Sequence, residues 1–119
     1  MGKIDVHLHV CLTGMERPGK VRVSSATDMS AHMKELGIDK GIVLSSGDAA
    51  GTMCPNAEAC AIHERYSETF AGFMCNIDEC EPSDVPGMLE IWKDRGAVGV
   101  GELTILSIMQ LLRMTFIIT

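Results

Sequence analysis

The chain has 119 residues, enough for one modest domain with a core of its own. Hydrophobic residues make up 46% and charged residues 22%, which places it among globular rather than disordered sequences. A formal net charge of -6 with no basic stripe argues against a nucleic-acid or anionic-membrane partner, because phosphate surfaces reward clustered Lys and Arg.

Lys3-Ile4-Asp5-Val6-His7-Leu8-His9-Val10 alternates apolar and polar side chains and predicts an opening strand. Ile4, Val6, Leu8 and Val10 fall on one face; Asp5, His7 and His9 fall on the other. The two imidazoles stand one strand repeat apart, roughly 6.5–7 Å between Cα atoms. Neutral imidazoles at that spacing on one rigid element can close on a single divalent cation. A single strand histidine is usually structural. Two on one face beside Asp5 are harder to explain that way, since unpaired polar atoms buried in a sheet cost about 1–3 kcal/mol each.

Residues 11–25 read as a loop, punctuated by Gly14, Pro18 and Gly19 and locally basic through Arg17, Lys20 and Arg22. A helix is expected over about 28–36, capped by Thr27 or Asp28. Its buried stripe would be Met29, Met33 and Leu36, with Gly37 as its left-handed stop and Ile38 as the apolar contact beyond. His32 on that helix reads as a solvated or packing residue. Residues 40–46 form a short apolar run of the kind found in buried parallel strands. A loop over 47–55 leads to a second helix over about 56–66, with Asn56 as cap and Ala57, Cys60, Ala61 and Glu64 near its packing face.

Residues 70–76 predict a third strand, running into the acidic turn Asp78-Glu79-Cys80-Glu81, read as solvated. The third helix is expected over about 84–95, capped by Ser83 or Asp84, with Pro86 tolerated in its first turn. Val85, Leu89 and Trp92 make its apolar stripe, and Gly96 ends it. Residues 97–101 form the fourth strand, and Glu102 sits at its C-terminal edge.

The order βαβαβαβ argues for an α/β protein with a parallel sheet and right-handed crossovers. Sites in such proteins gather at the C-terminal ends of the strands, where His7, His9 and Glu102 converge. Five cysteines at irregular spacing (Cys11, Cys54, Cys60, Cys75 and Cys80), with no apolar leader ahead of them, predict free thiols and a reducing, cytoplasmic setting. After Glu102 the composition shifts. Residues 103–119 hold one charge, Arg113, and eleven strongly apolar side chains. They are read as a separate tail, helical and apolar, of non-native origin through a frameshift or premature end, and too short and polar at Gln110 and Arg113 to span a membrane.

Residues 4–9, Ile-Asp-Val-His-Leu-His, resemble the first-strand His-x-His signature of the amidohydrolase superfamily, most closely the amidohydrolase 2 type. The likeness continues through residues 35–41, 71–73 and 96–103 and covers roughly 3–103. It implies a (β/α)8 barrel holding one or two divalent metals, often zinc, with His7 and His9 as ligands. Glu102 is the candidate for a fourth-strand ligand or a substrate contact. It further implies metal-activated hydrolysis of amide, ester or related bonds in a small-molecule substrate. Phosphoesterases of the polymerase-and-histidinol-phosphatase type open with a similar strand.

A full barrel takes about 250 residues, so residues 1–102 correspond to an N-terminal half. The ligands the family carries on later strands, and its late catalytic aspartate, are missing from this stretch. The chain is therefore expected to be inactive alone and to self-associate through its open sheet edges. The alternative is a non-catalytic half-barrel fragment or oligomerising remnant.

Overall fold

The computed structural model describes residues 2–17, 21–47, 54–78 and 80–101. Six strands and three helices follow one another along these residues. They are β1 (Ile4–Leu8), β2 (Met15–Arg17), β3 (Val21–Val23), α1 (Ala26–Glu35), β4 (Lys40–Leu44), α2 (Asn56–Arg65), β5 (Phe70–Cys75), α3 (Val85–Asp94) and β6 (Ala97–Val100). A 3₁₀ turn over Pro82–Asp84 leads into α3. The main sheet has the order β1-β4-β5-β6, and every neighbouring pair is parallel. The alternation expected from the sequence is thus present. Each of the four strands lies beside the one before it, as in a barrel wound in one direction.

The loop expected over 11–25 contains more order than the sequence suggested. β2 and β3 form a small antiparallel hairpin, pairing Met15 with Val23 and Arg17 with Val21. Strands of three residues are too short for a period-2 pattern to stand out.

The core lies between one face of the sheet and the helices. Leu8, Val10, Val43, Phe73 and Cys75 from the strand side share one buried cluster with Ala26 and Met33 of α1 and Ala59, Cys60 and Ile62 of α2. Leu89 and Trp92 of α3 pack against the same cluster. Trp92 meets Phe73 edge-on, with ring centroids 6.0 Å apart. All three helices therefore cover the same face. Gly41 permits this contact, because a Cβ there would collide with Leu8 and crowd Met33.

The helices differ from expectation in phase more than in position. Ser25, rather than Thr27 or Asp28, caps α1; its hydroxyl accepts from the Asp28 amide at 3.2 Å. Leu36 is 67% exposed and so leaves the expected stripe, because it already belongs to the turn after the helix. Gly37 has the anticipated left-handed backbone, φ 71°. Pro55 occupies the cap position of α2, and Asn56 lies buried inside its first turn. The packed face of α2 is Ala59, Cys60 and Ile62, whereas Ala57 and Glu64 are exposed. Asp84 precedes α3 without a side-chain capping bond. The stripe Val85, Leu89 and Trp92 is packed as expected. All five cysteines are buried free thiols.

Gly96 joins α3 to β6 at φ 112°, and a Cβ there would sit 2.6 Å from the His63 ring. His63 is itself fixed, its Nδ1–H donating to the Phe70 carbonyl at 2.8 Å. Both the backbone and the space therefore require glycine. Gly96→Ala is expected to cost about 1–3 kcal/mol of stability in urea unfolding, within the range for strained backbone positions. Gly87→Ala, in the open on α3, should be neutral or slightly stabilising.

Candidate metal centre

The opening strand reaches the sheet by two bonds to the segment before β4. The Asp39 amide donates to the Lys3 carbonyl and the Lys3 amide donates to the Asp39 carboxylate, both at 2.9 Å. Between Asp5 and Leu8 the pairing with β4 slips: Asp5 lies opposite Gly41, but Leu8 lies opposite Val43. Such an irregularity re-aims the side chains it contains. The carboxylate of Asp5 accepts from the His7 amide at 2.9 Å and so holds the slipped turn of chain.

Leu8 and Val10 enter the core on the helix side. His7 and His9 alternate with them and therefore face the other side, the one on which Met74 crowds Gly99 of β6 and Leu44 and Met74 crowd Gly101 just after it. A Cβ at Gly101 would lie 2.8 Å from Leu44 Cδ2 and from Met74 Cβ. This face corresponds to the inside of a barrel.

The structure brings the two predicted imidazoles together. His7 Nε2 and His9 Nε2 are 3.2 Å apart, with ring centroids at 5.0 Å and planes 76° apart. Two nitrogens bound to one tetrahedral zinc at about 2.0–2.1 Å are separated by about 3.3 Å. The spacing therefore fits two corners of one coordination shell. Among the described residues, no group of three or more His, Cys, Asp or Glu side chains is arranged to hold a metal. Glu102, the third predicted ligand, and the tail over 103–119 lie outside the described residues. His32 and His63 stand apart from the pair: His32 is exposed beside Glu35, and His63 is bonded to the Phe70 carbonyl.

The sequence did not reveal the polar support at this end of the sheet. Asn56 and Asn76 are buried and joined twice, Asn56 Nδ2 to the Asn76 carbonyl at 2.9 Å and the Asn76 amide to Asn56 Oδ1 at 2.8 Å. Asn76 Oδ1 also accepts from the Asp78 amide at 2.8 Å, which shapes the acidic turn. The buried Ser45 hydroxyl accepts from the Gly47 amide at 3.2 Å. The two Asn56–Asn76 bonds clamp the start of α2 to the end of β5. The only sequence cue was an asparagine just after a strand with an aspartate two residues on, the pattern of an Asx turn. Nearby, Glu58 accepts from the Leu12 amide at 3.4 Å. Burial first, and then the Glu58 charge, push the Cys54 thiol up from 9.0 to about 12.

No protein-family model and no curated protein sequence matches the chain. A solved structure does: a crystal structure of a probable 2-pyrone-4,6-dicarboxylic acid hydrolase from Acinetobacter baumannii with citric acid bound. The identity is 17% and the TM-score 0.59, over 96% of this chain and 46% of that one. The two share a fold, and this chain spans about half the length of its neighbour. Its sheet and helices are consistent with part of that barrel-like fold.

Two outcomes are expected at this rim. Asn56→Ala removes both bonds to the buried Asn76 backbone and should lower stability by about 1–3 kcal/mol, measured by denaturant titration. The Cys54 thiol keeps its proton in the folded chain to a higher pH than in the unfolded one. Its contribution is therefore complete below pH 9 and is lost as pH rises toward about 12. Thermal melts should fall over that window, and Cys54→Ala should flatten the fall.

Proposed function

We propose that the chain carries the metal-binding half of a divalent-metal-dependent hydrolase, with His7 and His9 holding one ion, zinc by the nature of the donors. The observation that supports this most is the 3.2 Å separation of the two Nε2 atoms on the inner face of the first strand. The hydrolase fold of the structural neighbour points the same way. Both imidazoles must present unprotonated Nε2 atoms to the ion, which leaves each Nδ1 to carry the proton. A bound ion supplies Lewis acidity, bringing the pKa of a water down toward about 7 and polarising a carbonyl.

The residues of the chain do the positioning. β1 fixes the rings, and the slipped register at Asp5 sets their direction. The clamp between Asn56 and Asn76 holds the adjacent loops. Glu102 is the candidate for a further ligand or a substrate contact. The substrate class is a small molecule with an amide, ester or related bond; the structural neighbour is a probable 2-pyrone-4,6-dicarboxylic acid hydrolase. The proposed setting is the cytoplasm. Among the described residues no helix is long and apolar enough to cross a membrane.

A second reading, a non-catalytic half-barrel, draws on the presence of only two converging ligands among the described residues. The two readings part in a titration. Isothermal calorimetry with Zn²⁺ should give saturable binding to the chain, and His7→Ala with His9→Ala should remove it. Equal heats for both proteins would sink the metal centre. Turnover of ester and amide substrates by the chain alone is expected to be negligible; zinc-dependent hydrolysis that survives repurification and is lost in the double variant would favour a self-sufficient enzyme instead.

A further inference from the structure

β1 has one residue more than β4 between two paired positions. Asp5 lies opposite Gly41 and Leu8 opposite Val43, so three steps along β1 run against two along β4. Both partners on β4 mark the helix side of the sheet. A Cβ on Gly41 would meet Leu8 and Met33, and Val43 belongs to the core. In an unbroken strand, positions 5 and 8 would point to opposite faces. The extra residue between them reverses that phase, as a bulge does.

For the imidazoles this decides the face. If the pairing that starts at Asp5 and Gly41 continued without a slip, His7 would lie opposite Val43, against the helices, and Leu8 would lie opposite Leu44. With the slip, Leu8 and Val10 are buried in the core, and His7 and His9 stand on the other side. The slipped stretch carries its own internal bond. Asp5 Oδ1 accepts from the His7 amide at 2.9 Å, two residues on, the contact by which an aspartate shapes a turn of backbone.

We propose that Asp5 is a positioning residue of the metal centre: its carboxylate holds the extra residue of β1 in place and so turns the His7 ring to the side of His9, at an Nε2 separation of 3.2 Å that suits one ion. This rests on reading His7 and His9 as metal ligands. The carboxylate acts on the backbone of the ligand. What the site requires is therefore an acceptor two residues ahead of His7, not a negative charge. Asparagine supplies one and alanine does not.

Co²⁺ titrations of the full chain, together with nuclear magnetic resonance of the metal-free chain, test the proposal. Asp5→Ala should weaken Co²⁺ binding about tenfold, the lower end of what losing a group that orients a metal ligand does. It should also remove the nuclear Overhauser contact between the His7 and His9 rings, whose centroids are 5.0 Å apart. Asp5→Asn should keep both the affinity and the contact. Asp5→Val, β-branched and without an acceptor, takes the place of Asp5→Ala should that variant fail to fold. Wild-type affinity in the variant without an acceptor overturns the role of Asp5 and leaves the metal centre standing. Lost affinity with the ring contact intact overturns positioning, and an Asp5→Asn chain as impaired as Asp5→Ala overturns the backbone mechanism. A wild-type chain that takes up no Co²⁺ overturns the metal centre, and this role with it.

Discussion

The constraint on which the rest depends is that every crossover returns to the same side of the sheet. Each strand is laid down beside its predecessor, and each helix packs over the joint just made. One face must therefore be apolar from β1 to β6, and it is filled by Leu8, Val43, Phe73 and the helix residues that meet them. The opposite face is released from that duty. Polar groups can stand there without being forced into a hydrocarbon core, and this is where the opening strand places its imidazoles. A doubly wound sheet with the same alternation would have helices over both faces and nowhere to put them at this cost.

The support at the strand ends follows a different logic. Loops that leave the C-terminal edge carry backbone amides and carbonyls that the ladder no longer satisfies. The buried side chains of Asn56, Asn76 and Ser45 take up several of them. Their hydrogen bonds convert the start of α2 and the exit of β5 into one rigid piece. At the other end of the sheet Arg95 stacks on Trp92 and bonds Glu64 at 3.3 Å, an exposed arrangement with stabilising rather than functional character. The Cys60 thiol and then Arg95 hold the Glu64 carboxyl below the usual range.

Much of this order was legible in the residues. Gly37 and Gly96 marked two helix ends, and both have left-handed backbones. The alternation from Ile4 to Val10 placed both histidines on one face, but its apolar half split: Leu8 and Val10 are buried, while Ile4 and Val6 lie on an edge whose outer cover is not among the described residues. Pattern reveals which residues share a side, not whether anything lies against that side. The same limit explains α2, where Ala57 and Glu64 matched a helical stripe as well as Ala59 and Ile62 did, because alanine-rich turns give little contrast. The β2–β3 hairpin escaped because three residues carry no period. The asparagine clamp escaped because it joins positions 20 residues apart, which no local pattern encodes. Glu102 sits one residue past the last described position, so its place in the site rests on sequence alone.

The opening strand has no early partner. Its neighbour β4 begins at Lys40, and the bonds that seat it run between Lys3 and Asp39, 36 positions apart. During synthesis the histidine strand must wait for that later segment to leave the ribosome before it can be drawn into register, and the wait carries the entropy of closing a long loop.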